Sequence, residues 1–287
     1  MVKIIIVEET VDTGILLIAV GSLEYLEMAK NLAMSIQNVD PDTPIALAHN
    51  YNSVDSNLFD KYIKVPKKAY TTKGAVEYIK VKTFMYDLSP FTRTLYLDVD
   101  MVWLFNKKPT ELINEVVGCN WTMSNTGKAD YTVWADINEI KETYQSADMW
   151  NYHSECIYFE KNETSKIYFD KVKEIYDNPK INSIQFAGAR LSDELAFQLA
   201  SIETNQFPHK ENWNPIFWYA RDRKDMNLMP YQLAKKYYAY SVGGNQTPTT
   251  VKKNFTDISK YHSDKSKLAK IYNIKDKRLF IKERQKI

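Results

Sequence analysis

The sequence predicts an α/β fold built on a mostly parallel sheet flanked by helices. Three observations carry this. Short apolar runs alternate along the chain with segments of helical apolar period. Pro- and Asp-rich turns separate them. One apolar run, Thr94–Leu104 (TLYLDVDMVWL), leads straight into two aspartates one residue apart.

Lys3–Val7 and Ile15–Gly21 read as strands. Leu23–Ile36 gives Leu26, Met28, Ala29, Leu32, Ala33 and Ile36 helical apolar spacing, and the turn at residues 40–44 ends it. Ile45–Ala48 and Ile63–Val65 are two further short strands. Lys73–Leu88 reads as a helix closed by Ser89-Pro90, because the residue before proline is pushed out of the helical region. The strand leading to Asp98 follows. No internal repeat or low-complexity linker interrupts the chain. Residues 1–205 are expected to form the core and 206–287 a C-terminal helical, basic extension, the two together making one structural domain.

The 287 residues are 44% hydrophobic, as in a folded globular chain, and no apolar run approaches the ~18 residues of a membrane span. The N-terminal stretch lacks a signal-peptide layout. With two cysteines, Cys119 and Cys156, a disulfide framework is not expected, and a cytoplasmic setting fits. The net charge of +2 is unevenly spread. Residues 251–287 carry 12 Lys/Arg against 4 Asp/Glu, a net of +8, which leaves −6 for the first 250 residues. Such a tail is either a solvated lysine-rich helix or a contact for a polyanion.

Asp98 and Asp100 fall at the C-terminal end of a buried strand, where open α/β sheets bind their ligands. Two carboxylates on one side repel each other, and a divalent cation relieves this; hard oxygen ligands suit Mg²⁺ or Mn²⁺. Without such an ion the pair reads as a solvated turn.

Taken in order, the motifs resemble GT-A glycosyltransferases, in the branch of family 8 around glycogenin and the galactosyltransferase-like enzymes. The resemblance rests on residues 79–83 (IKVKT), 87–91 (DLSPF) and 94–101 (TLYLDVDM). It also rests on residues 152–159 (YHSECIYF), 188–197 (GARLSDELAF) and 260–262 (KYH), and on Tyr25 and Ser35 in the first helix. It spans about residues 15–265. It implies a Rossmann-like GT-A core and a metal-dependent transferase taking its sugar from a nucleoside-diphosphate sugar, with UDP-sugar as the donor class. The acceptor (glycan, protein or modified nucleic acid) stays open.

By the resemblance, Asp100 and His262 are direct metal ligands and Asp98 bridges metal and ribose, with Mn²⁺ favoured over Mg²⁺. His153 is the second choice of histidine. Ala19, Val20, Gly21 and Ser22 end the first strand where the family packs the nucleotide base and ribose. Lys82, with Lys80 as its alternative, and Lys265 or Lys267 reach the diphosphate. Asp193 stands beside the acceptor, with a structural role at its helix start as the competing reading. The aromatic stretch Trp213–Tyr240 is either acceptor platform or core. The chain departs from the family pattern where His153 and Glu155 replace the Asn and Gly of its "NSG" strand, and where nothing after His262 matches its Gly-Pro-Trp ending. These departures leave retention of configuration an expectation. Two other readings are a haloacid-dehalogenase-type phosphatase using Asp98 and Asp100, and a degenerate GT-A binding protein.

Overall fold

The computed structural model of the chain describes residues 12–105, 107–146, 149–185, 191–243 and 248–263. The expected strand at Lys3–Val7, the motif residues 188–190, and Lys265 and Lys267 lie outside the described residues.

Strand β1 (Thr13–Ala19) leads to helix α1 (Leu23–Gln37), β2 (Ile45–His49) and β3 (Lys61–Lys64). A two-strand hairpin follows, β4 (Thr71–Thr72) and β5 (Ala75–Val76). Then come a 3₁₀ segment, Tyr78–Phe84, and the short helix α2 (Met85–Leu88). Strands β6 (Arg93–Leu97) and β7 (Met101–Trp103), helix α3 (Pro109–Asn114), β8 (Trp121–Ala129), α4 (Ile137–Tyr144) and β9 (Met149–Glu160) succeed them. The rest comprises α5 (Glu163–Asp177), α6 (Asp193–Thr204), β10 (Ile216–Trp218), α7 (Pro230–Lys236), β11 (Ala239–Ser241) and α8 (Thr249–Ser263).

The main sheet has the order β3-β2-β1-β6-β9-β8. Strands β3, β2, β1 and β6 are parallel; β9 runs antiparallel to both β6 and β8. A second sheet, β10-β11-β7, joins the strand just after the aspartates to two strands from the C-terminal part of the chain.

Alternation along β1 and β6 divides the core. Leu16, Ile18, Val20 and Tyr96 face the layer that holds α5 and α6, whereas Ile15, Leu17, Ala19, Leu95 and Leu97 face α1. Both faces are buried, which is why these strands read as continuous apolar runs. Ser22 caps α1 by accepting from the amide of Glu24. On the α1 side, Ser35 Oγ donates to Leu32 O and accepts from the amide of Trp103, tying α1 to β7.

The single helix expected over Lys73–Leu88 is not formed. Lys73 and Gly74 both have positive φ (49° and 86°), the requirement of a tight two-residue hairpin, so β4 and β5 pair instead. Only the last turn of that segment is α-helical. Gly21, directly after β1, has φ +100° and lies under Tyr78, whose ring stands 3.0 Å from where a Cβ would be. Gly21→Ala is expected to cost about 1–3 kcal/mol of stability through backbone strain alone; urea unfolding tests this, and an unchanged midpoint would refute it.

Candidate active site

Two cavities open at the C-terminal ends of the parallel strands, and they share Ile79, Lys82, Asp98 and Asp100. The first, about 250 Å³, has apolar and aromatic walls: Ile18, Val20, Tyr25, Tyr78 and Val81. The second, about 260 Å³, is lined by Trp134, Ser154, Glu155, Asp193, Glu194 and Trp218, with Ser241 and Gly243.

Lys82 lies between the acids. Its Nζ is 2.8 Å from Asp98 Oδ2 and 3.2 Å from Asp193 Oδ2, and it donates to Ser154 Oγ at 3.2 Å. Ser154 Oγ in turn donates to Asp193 Oδ2 at 2.6 Å, and Tyr96 donates to Asp98 Oδ1 at 2.6 Å. Burial works against the Lys82 charge, but Asp193 and Asp98 outweigh it and hold the ammonium well above its ordinary range. Asp98 is pushed up by burial despite Lys82. Asp100 makes no ion pair among the described residues; burial, with the neighbouring Asp98 charge, raises it to about 7. A carboxyl so placed wants a cation.

The other wall is also acidic. Glu155 pairs with Arg221 at 2.6 Å, and that contact holds it ionised below its usual range even though burial opposes the charge. Glu194 accepts from Trp134 Nε1 at 3.1 Å and from the amide of Ser154 at 3.4 Å. Burial and then Asp193 raise it to about 8.

Of the residues singled out in the sequence, the structure brings together Lys82, Asp98, Asp100 and Asp193. Asp193 opens α6, but its carboxylate turns to Lys82 and Ser154. Lys80, the alternative to Lys82, is buried and pairs with Asp177 at 2.7 Å, away from the aspartates. The Ala19 side chain faces the α1 layer, whereas Val20, also singled out in the sequence, lines the cavity together with Ile18. Gly21 contributes through the Tyr78 ring stacked over it, and the Ser22 hydroxyl is taken up by the α1 cap.

His262 is not brought to Asp98 and Asp100. It is buried on α8, where its carbonyl accepts from Asn38 Nδ2 at 2.6 Å; Asn38 caps the C-terminal end of α1. Tyr25, at the other end of that helix, is the residue that lines the cavity. Thirteen helical residues separate the two, roughly 20 Å. His262→Ala removes a fully buried ring that stands edge-on to Tyr261 with Nδ1 3.4 Å from Asn38 Nδ2, and is expected to lower stability by about 1–3 kcal/mol and to leave Mn²⁺-assisted UDP binding unchanged. A tenfold loss of that binding would return the histidine to the ligand set.

The aromatic stretch divides. Phe217, Tyr237 and Tyr240 are buried in one cluster with Leu233 of α7 and Val251 and Tyr261 of α8, and Trp213 in the core on the α1 side, while Trp218 lines the second cavity. Sequence reasoning passed over Tyr96, Ser154, Glu194 and Arg221. Glu194 had one signal, its place next to Asp193. Arg221 had none, since only the fold carries it to Glu155.

The sheet order and the paired cavities at the strand ends define a GT-A fold. Solved structures with this fold that the chain resembles include the bifunctional glycosyltransferase WbbM, with 12% identity, a TM-score of 0.56, and cover of 89% of this chain and 52% of that one. GlyE of Streptococcus pneumoniae TIGR4 gives 10%, 0.53, 91% and 63%, and the galactosyltransferase LgtC, solved with donor and acceptor sugar analogs, 11%, 0.51, 86% and 95%. The chain thus spans about half the length of WbbM and under two thirds of GlyE, but nearly all of LgtC. No protein-family model matches the chain, and no curated protein matches it. Among the described residues, no helix is long and apolar enough to cross a membrane.

Proposed function

We propose that the chain is a metal-dependent glycosyltransferase of the family 8 type that moves a sugar from a UDP-sugar to an acceptor. The observation that carries this reading is the junction of the two cavities at Asp98, Asp100 and Lys82. An apolar, aromatic cleft on one side suits a base and ribose. An acidic cleft with two tryptophans on the other suits a sugar, whose apolar face packs on rings and whose hydroxyls donate to carboxylates.

The donor set fits a divalent cation: Asp100 is a buried carboxylate with no ion pair among the described residues, next to Asp98, and both are hard oxygen ligands. Asp98 and Asp100 would hold Mn²⁺ or Mg²⁺. Bound there, the ion would supply charge neutralisation to the diphosphate as it leaves. The protein's own residues do the rest. Lys82 orients Asp98 and Asp193 and contributes positive charge at the junction. Tyr78 over Gly21, with Val20, walls the nucleotide cleft from water. Asp193 faces the side from which an acceptor hydroxyl approaches. The sugar–diphosphate bond breaks with its electron pair on the diphosphate, and the acceptor oxygen forms the new bond as its proton passes to the departing diphosphate. Retention of configuration belongs to this reading through the family 8 resemblance.

The direct test is a screen of UDP- and GDP-sugars for Mn²⁺-dependent hydrolysis, which needs no acceptor. Release of UDP from at least one UDP-sugar, abolished by chelation, is the expected result. No nucleotide release and no UDP binding with Mn²⁺ would leave a degenerate binding protein as the better reading.

A further inference from the structure

Glu155 and Glu194, which line the second cavity, belong with His153 to a cluster that the donor site leaves unused. One ligand atom from each of His153, Glu155 and Glu194 lies within 4.8 Å of the other two. Strand β9 supplies the first two, spaced two residues apart on one side of the strand, and the first turn of α6 supplies the third. His153 is 7% exposed, and its Nε2 is buried without a hydrogen-bond partner. A buried imidazole nitrogen facing nothing is costly unless a ligand takes it.

The two carboxylates are held in the manner of ligands that have supports behind them. Glu155 turns Oε1 to Arg221 at 2.6 Å and to Ser124 at 3.1 Å. Glu194 turns Oε2 to Trp134 Nε1 at 3.1 Å. In each case the other oxygen is left for the cluster, apart from a long 3.4 Å contact between Glu194 Oε1 and the Ser154 amide. Hydrogen bonds of this kind orient metal-ligating side chains. Arg221 does not neutralise the group. Its guanidinium is shared between Glu155 and Asp222, the latter at 3.1 Å, and Glu194 has no ion pair among the described residues. The remaining nearby cation, Lys82, is shared by Asp98 and Asp193.

We propose that His153, Glu155 and Glu194 form a binding site for a divalent transition-metal ion, distinct in its ligands from Asp98 and Asp100 although Glu155 and Asp98 are neighbours across β9 and β6. One imidazole nitrogen and two carboxylate oxygens form a donor set suited to Zn²⁺ or Mn²⁺ and poorly suited to Mg²⁺. Three protein ligands leave a coordination position open toward the cavity, where an acceptor hydroxyl would bind. That last role rests on the functional reading above; the ion site itself does not.

The test uses the full chain, stripped with chelator and titrated with Zn²⁺ by calorimetry, with metal content read after dialysis. Co²⁺ serves as a spectroscopic probe of nitrogen ligation. His153→Ala and Glu194→Gln should each lose one tightly bound ion, or weaken it at least about 100-fold, and should lose the corresponding Co²⁺ visible bands. Asp100→Asn should keep that ion and those bands. Thermal unfolding of the metal-free variants controls for folding, and the near-isosteric Glu194→Gln guards against collapse in His153→Ala. Unchanged uptake in both cluster variants, or loss of all uptake in Asp100→Asn, would overturn the site. UDP binding with Mn²⁺ is measured on the same proteins. Its absence in the wild-type chain would count against the donor site and leave the ion-uptake result standing.

Discussion

Asp100→Asn should abolish Mn²⁺-assisted UDP binding while the protein stays folded. The amide fills the same volume but carries no charge, and Asp98 alone already has both oxygens engaged, one by Tyr96 and one by Lys82. The weakening should exceed about 100-fold, the upper end of what changes behind a metal ligand produce. Because Asp100 makes no ion pair and is raised to about 7, the folded metal-free protein holds its charge at a cost, so the variant should be as stable as the wild type or slightly more so. Working through the sign, a carboxyl raised by folding costs stability above its unfolded value, and the asparagine removes that cost near neutral pH. Calorimetry with UDP and Mn²⁺, together with thermal unfolding, checks both halves. Unchanged UDP affinity would remove the aspartate pair from the donor site.

The second large effect is expected at Asp193. Asp193→Asn should lower turnover by about 100-fold or more, with UDP affinity changed less than about threefold, because its carboxylate faces the second cavity, beyond Lys82 from the nucleotide cleft. Ser154 can still donate to the amide oxygen, which limits the structural damage. Binding and transfer must be measured separately on this variant. Normal transfer would place Asp193 among residues that only position Lys82 and α6.

Much of this architecture could be read from the chain because buried parallel strands announce themselves. β1, β2 and β6 are apolar on both faces, and α1 has a helical stripe bounded by a serine cap and a turn. The 3₁₀ segment was not legible. Val81, Met85 and Leu88 face the core under either helical period, so apolar spacing does not separate 3.6 from 3.0 residues per turn. The second sheet was hidden for a different reason: three-residue strands are too short to show alternation.

Within the candidate site, the residues with a local sequence signal lie together around one junction: the aspartate pair, a lysine one helical segment upstream, and the acid at a helix start. Those that depend on strand pairing carry no such signal. Arg221 meets Glu155 across 66 residues of chain. His262 shows the opposite failing. Its order in the chain agreed with the family pattern, but order does not say past which end of α1 the last helix runs.

The strand after the aspartates has a consequence for how the molecule is made. Among the described residues β7 pairs with β11 alone; the amide of Val242 donates to the carbonyl of Asp100, and Ser241 and Gly243 form part of the second cavity's wall. During synthesis, the nucleotide cleft has all of its lining residues once Asp100 has emerged. The neighbouring cleft must wait for some 140 more residues (order of magnitude) to be made and docked, a closure over a long loop that is slow relative to local structure. A nascent chain thus passes through a stage that holds one half of the junction and not the other. Ligands of the first cleft could bind and stabilise that stage before any acceptor could be admitted.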